Sequence, residues 1–262
     1  GASATSAAPV AYASLKPPSR MSMYQRVSFS CVLSTLSPVT TTSSGLRPST
    51  GLRTRRTWFD TGSIGVRTQA VRALRDQLKY DALYPDAAKV TVLANNHDTT
   101  RFMSLPDATT AGAKMHVAFV LSVRGIPQLY AGEEIAMEGR EDPDNRRDFP
   151  SAAFQAEGRK PKEREMFDWT RSWIKLRRDH AALRAGKLIE LFVDDETYVF
   201  ARQLGAETIV VAFNRENKPK QVVIPVEMRL RPLIGDVSVR VERGETTLTL
   251  PGQSAVALSR HD

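Results

Sequence analysis

The sequence predicts an α/β unit followed by an all-β domain, and three observations carry that assignment. Two short apolar runs, residues 90–94 and 128–131, bracket an apolar stretch of helical length at 111–123, which reads as strand, helix, strand in a parallel arrangement. Polar residues collect just past the carboxyl end of each run: Asn95-Asn96-His97-Asp98-Thr99-Thr100-Arg101 after the first and Gly132-Glu133-Glu134 after the second. In parallel α/β sheets and barrels that edge carries the chemistry, because loops there turn side chains toward a ligand above a rigid scaffold. From Lys187 onward the apolar period drops to two, the mark of antiparallel strands.

Taken in order, the first folded element is a helix over 68–79. Val71, Leu74, Leu78 and Leu83 fall near helical spacing, with Arg72, Arg75, Asp76 and Lys79 between them. Pro85 stops any continuation and leads into the strand at 90–94. The helix at 111–123 carries Met115, Ala118, Phe119 and Ser122 on one face, and Gly125-Ile126-Pro127 terminates it before the strand at 128–131. A polar loop at 138–164 follows. The helix at 165–184 shows Met166, Trp169, Trp173, Leu176 and Leu183 as a packing stripe, a better use of its two tryptophans than as sugar platforms, and Gly186 caps it. Strands at 188–193, 197–204, 207–213, 220–226, 237–242, 246–250 and 254–258 make an antiparallel sandwich. The expected boundaries are a Ser/Thr/Pro-rich segment at 1–67, the α/β unit at 68–186 and the sandwich at 187–262.

Composition bounds the function. With 262 residues, 41% of them hydrophobic, the chain can bury a sizeable core. The single cysteine, Cys31, makes no intrachain disulfide and supports no cysteine-based metal site. No apolar run approaches the roughly 20 residues needed to span a bilayer, so a soluble chain is expected, in the cytoplasm or outside the cell. The net charge of +8 is concentrated at the start, where residues 1–60 hold seven basic residues against one acid, Asp60. Those bases are scattered among Ser, Thr and Pro with no aromatic interleaving on a regular element, which argues against nucleic acid as a partner. About two fifths of residues 1–68 are Ser, Thr or Pro, a composition that buries too little to offset the entropy of ordering; irregular structure is expected there, with one short strand at 27–33.

Three stretches, in order, carry a resemblance: Asn96-His97-Asp98, then Gly125-Ile126-Pro127-Gln128-Leu129-Tyr130-Ala131-Gly132-Glu133-Glu134, then Asp142-Pro143-Asp144-Asn145-Arg146-Arg147-Asp148-Phe149-Pro150. An isolated Asn-His-Asp fits strand-end capping as well as a binding rim. Ahead of a helix and an antiparallel domain, the three together resemble the α-amylase family of glycoside hydrolases, family thirteen, in its cyclomaltodextrinase, neopullulanase and maltogenic amylase branch. The resemblance covers about two thirds of the chain, from about Thr68 onward.

The resemblance implies that 90–94 and 128–131 are the seventh and eighth strands of a (β/α)8 TIM barrel, present as a truncated portion, and that 187–262 is the family's C domain. It implies that Asp98 is the carboxylate that stabilises the transition state, that His97 donates to the same sugar, with Asn96 beside it, and that Asp142 and Arg146 grip the next glucose. Glu134 matches an acidic, structural position after the eighth strand. Starch or maltooligosaccharides are the implied partners, with no cofactor required and calcium admitted. The physics suits these roles: fixed negative charge stabilises an oxocarbenium-like centre, and a guanidinium fork matches vicinal hydroxyls. Retaining hydrolysis also needs two carboxyl groups about 5 to 5.5 Å apart. The family's Gly-Phe-Arg-x-Asp nucleophile motif is absent, no glutamate precedes Glu133, and before Asp98 the acids are Asp60, Asp76, Asp81 and Asp86. Substitute carboxylates are drawn from Glu133, Glu134, Asp142, Asp144 and Asp98, and activity is expected to be weak or atypical. The alternative is a non-catalytic glucan-binding or assembly fragment, self-associating through an open sheet edge.

Overall fold

The computed structural model describes residues 71–261. The strand expected at 27–33, Cys31 and the whole of 1–67 lie outside them. Helix α1, Val71–Leu78, buries Val71 and Leu74 and is tied to the later sheet through Val71 N–H, which donates to Asp195 O at 2.9 Å. Two 3-10 turns then deliver the chain to β1, Thr91–Leu93. Helix α2, Thr110–Ser122, starts where the Thr109 hydroxyl accepts from Gly112 N–H, and ten of its thirteen residues are buried, as its nearly all-round apolar sequence requires.

Strand β2 is Ile126–Gln128 and pairs in parallel with β1, with Thr91 opposite Ile126 and Leu93 opposite Gln128. It therefore lies two residues earlier than the expected 128–131. Pro127 looked like a terminator, yet successive N–H groups of a strand point to opposite sides. Ile126 donates to Val90 O at 3.0 Å, and the missing N–H of Pro127 falls on the other side. The chain leaves the strand after Gln128 because Tyr130 N–H turns to the Glu133 carboxylate.

The long helix is also corrected. It begins at Pro161, four residues earlier than expected, and ends at Asp179, giving α3, Pro161–Asp179; a separate short helix α4, Ala181–Ala185, follows. Proline at the first helical position needs no N–H partner, and Lys160 N–H donates to Glu163 at 2.9 Å. The break lies at His180, whose backbone is extended because Glu207 holds both sides of it: Oε1 lies 2.7 Å from His180 Nδ1 and Oε2 accepts from Ala182 N–H at 2.7 Å. Burial pushes the Glu207 carboxyl up, but that N–H and His180 outweigh it and hold it below its ordinary value. Gly186 ends α4 in extended rather than left-handed backbone; a Cβ there would lie 2.4 Å from Ala182 O, so crowding demands the glycine. Trp173 is fully buried and Trp169 half-buried, its Nε1 donating to Lys114 O, so both tryptophans pack rather than face solvent.

The carboxyl-terminal domain comprises β3 Lys187–Val193, β4 Thr197–Leu204, β5 Glu207–Asn214, β6 Lys220–Ile224, β7 Leu230–Ile234, β8 Ser238–Glu242, β9 Glu245–Leu250 and β10 Ser254–Arg260. A five-stranded antiparallel sheet in the order β3-β4-β5-β10-β7 faces a three-stranded one in the order β6-β9-β8. Strand β7 was not anticipated, because Pro232 interrupts its apolar run; it is an edge strand, where a missing N–H is tolerated. The larger sheet is covered on both faces. Val199, Ala201, Val210, Ala212 and Leu258 point into the sandwich. Tyr198, Phe200, Ile209, Val211 and Phe213 point the other way, into a core shared with α1, α2, α3 and α4. That double burial explains why β5 reads as a continuous apolar run rather than an alternating one.

Candidate functional site

The site forms where the segment after β1 meets the loop after β2. Asn95 is buried, whereas His97 and Asp98 are exposed, so the chain passes from core to surface within two residues. Asn96 makes the turn: its side-chain oxygen accepts from Asp98 N–H at 2.9 Å, and its own N–H donates to the Thr99 hydroxyl. Its side chain thus shapes the rim. Opposite, Asn145 is fully buried and its amide donates to His97 O at 2.7 Å and to Thr99 O at 2.9 Å, stitching the second loop to the first.

On this support four side chains stand in a row. His97 Nε2 lies 3.3 Å from Asp98 Oδ1, Asp98 Oδ1 lies 3.7 Å from Arg146 Nη2, and Arg146 Nε lies 2.9 Å from Asp142 Oδ1. Each side chain is about half exposed or more, so acceptors and donors alternate along a surface open to solvent. Arg146 Nε also donates to His97 O at 3.2 Å, which fixes the guanidinium plane. Beside it Asp144 sits below its ordinary pKa of 3.8, held there by Arg140 N–H and then by Arg147.

The two glutamates after β2 occupy different surroundings from that row. Glu133 is buried, and its Oε1 accepts from Asn95 Nδ2 at 2.8 Å while Oε2 accepts from Tyr130 N–H at 3.0 Å. Glu134 is half-buried and accepts from Gly132 N–H at 2.8 Å. Both carboxylates bind groups of the fold. Sequence reasoning missed the residues that hold the rim. Arg101 is buried, donates to Asn145 O and Ala131 O, and stacks 4.3 Å from the centre of the Tyr130 ring. Asn145 sits between the two residues of the expected sugar grip, and its position was the only available hint. Among the described residues no three His, Cys, Asp or Glu side chains are grouped to hold a metal ion. No helix of the described residues is long and apolar enough to cross a membrane.

A solvent-facing row of carboxylates, imidazole and guanidinium thus lies past the carboxyl ends of two paired parallel strands, the edge at which α/β barrels place their active sites. Residues 58–179 match the family described as Alpha amylase, catalytic domain, and residues 186–256 match the Alpha-amylase C-terminal domain. The chain belongs to the α-amylase family of glycoside hydrolases. A cyclomaltodextrinase of Geobacillus thermopakistaniensis is 30% identical over 144 residues, 54% of this chain and 24% of its own length. Neopullulanase 2 of Thermoactinomyces vulgaris is 29% identical over 202 residues, 74% of this chain and 33% of its own. The solved α-amylase of Geobacillus thermoleovorans, complexed with acarbose, superposes with a TM-score of 0.69 at 26% identity over 78% of this chain and 47% of that one. The chain thus spans a quarter to a third of these curated relatives and about half of the solved one.

Proposed function

We propose that the chain is an α-amylase-type glycoside hydrolase portion that acts on α-1,4-glucans such as starch and maltooligosaccharides, with the His97–Asp98–Arg146–Asp142 row as its sugar grip. The observation that carries this reading is the row's geometry: one guanidinium lies between two carboxylates, with an imidazole beside the first, all open to solvent. Arg146 offers a fixed fork of donors to vicinal hydroxyls, and Asp142 keeps it oriented. Asp98 accepts from ring hydroxyls next to the reacting carbon, and its negative charge strengthens those bonds as an oxocarbenium-like centre develops. His97 donates to the same ring, and Asn96 shapes the turn that presents both. β1 and β2 take the places of the seventh and eighth strands of a (β/α)8 barrel, which the parallel pairing and the position of the row at the strands' carboxyl ends support.

A second reading, glucan binding without hydrolysis, rests on the carboxylates. Glu133 and Glu134 are committed to Asn95, Tyr130 N–H and Gly132 N–H, and Asp142 is committed to Arg146, which leaves Asp98 without an uncommitted carboxyl among these candidates. Maltoheptaose titration and reducing-sugar release, run on the purified chain and on Asp98→Asn and Arg146→Ala variants, separate the two. Binding weakened about tenfold by Arg146→Ala is expected under both readings. Sugar release abolished by Asp98→Asn supports hydrolysis, release at no rate supports binding alone, and a chain that does not bind at all rejects the grip.

A further inference from the structure

We propose that Glu133 is the positioning residue of the rim: from a buried site it joins the ends of β1 and β2 and thereby sets where Asp98 stands. This inference rests on the rim being the glucan grip. Glu133 has one carboxylate oxygen on each strand's continuation, Oε1 on Asn95 Nδ2 at 2.8 Å and Oε2 on Tyr130 N–H at 3.0 Å. Asn95 is three residues from Asp98. Tyr130 carries its hydroxyl to Asn145 O at 3.3 Å, and Asn145 holds His97 O and Thr99 O through its amide. The contacts close a ring that runs from Glu133 through Asn95 to His97, across to Asn145 and back through Tyr130 to Glu133. Arg101 braces the ring from inside with its bonds to Asn145 O and Ala131 O.

A third group meets the same carboxylate. His116, on α2 and almost fully buried, places Nε2 3.4 Å from Glu133 Oε1, and neither ring nitrogen has a hydrogen-bond partner. A cavity of about 20 Å³ lies against Asn95, Arg101, His116 and Glu133, large enough for one water molecule to serve that imidazole. A buried carboxylate surrounded by donors is suited to orientation rather than to packing, since any apolar group of the same volume would leave Asn95 Nδ2 and Tyr130 N–H without acceptors.

The polarity of the bonds provides the test. Glu133→Gln keeps the volume but turns one acceptor into a donor, facing either Asn95 Nδ2 or Tyr130 N–H. Adding Asn95→Asp reverses the polarity at that partner, so the new amide at 133 donates to the new carboxylate at 95 while its oxygen still accepts from Tyr130 N–H. Amide hydrogen exchange over residues 95–101 and maltoheptaose titration are measured on the full chain, the single variant and the double variant. The single variant is expected to exchange faster across 95–101 and to bind about tenfold more weakly, and the double variant to recover most of both. A double variant no better than the single one, or a single variant with unchanged exchange, overturns the proposal. If the single variant fails to fold and the double variant folds, the bond polarity is the cause and the proposal stands. A wild-type chain that does not bind maltoheptaose rejects the grip, and the exchange data then decide the role of Glu133 separately.

Discussion

At the scale of single residues, one amide stitches the two loops of the rim together. Asn145 is fully buried and spends both of its N–H bonds on backbone carbonyls of the opposite loop. Replacing it with an acid of the same shape puts a carboxylate against two carbonyl oxygens, so Asn145→Asp is expected to cost about 2–3 kcal/mol. Urea denaturation measures this, and a midpoint equivalent to a loss below about 0.5 kcal/mol would contradict the assigned role. The exposed members of the row act differently. His97, Asp98, Asp142 and Arg146 are solvated, and their mutual ion pairs contribute little to stability, so their substitution should register in binding long before it registers in melting. The motifs that carry the family resemblance singled out these four, and their contiguity in the sequence made them easy to name. Asn145 was not legible as a support, because nothing local distinguishes a buried amide from a loop amide.

At the scale of elements, charged groups hold the joints. The carboxyl end of α2 and the turn after it leave carbonyls that the helix itself cannot satisfy, and arginines supply the donors. Arg177 donates to Leu121 O, Val123 O and Gly125 O, and Arg202 reaches from β4 to Ser122 O. Burial, and then the charge of neighbouring arginines, lowers both guanidinium groups to about 10, the electrostatic cost of capping a helix inside the core. The turn between β3 and β4 is held by a carboxylate instead. Asp194 accepts from Glu196 and Thr197 N–H and pairs with Lys220 at 2.8 Å. Burial pushes its carboxyl up, but Lys220 and those N–H groups prevail and set it below its ordinary value of 3.8. The unfolded chain therefore takes up this proton first as the pH falls. The stabilisation is complete above the ordinary value of 3.8 and is lost as the pH drops through the lower folded value. Asp194→Asn is expected to lower stability at neutral pH and to flatten the acid limb below pH 3.8; thermal melts from pH 2 to 6 check this, and a variant with an unchanged acid limb would contradict it.

At the scale of the whole molecule, the α/β unit and the sandwich share one core. Phe119 on α2 meets Phe213 on β5 at 5.9 Å between ring centres, and Phe213 stacks on Phe200 at 6.2 Å. These rings are buried among Trp173, Met166 and Leu183 of the helices. Neither part keeps its apolar surface covered without the other, so the two should unfold together. Phe119→Ala is expected to cost about 3–5 kcal/mol and to lower the melting of both parts in one transition. Scanning calorimetry with secondary-structure detection decides it, and two separated transitions in the parent chain would contradict a common core.

The sequence by itself determined the strand–helix–strand order around α2 and the change of period at Lys187, because each is written in local spacing, and the motifs that carry the family resemblance singled out His97, Asp98, Asp142 and Arg146 as candidates. Only the tertiary structure decided that β2 begins at Ile126, that Glu207 breaks the long helix at His180, and that an edge strand runs through Pro232. It also decided that Glu133 points into the core while His97 and Asp98 face water. Those outcomes depend on contacts between residues far apart in the chain, such as His180 with Glu207 and Asn145 with His97, and periodicity along a chain carries no record of which donor will meet which acceptor at that range.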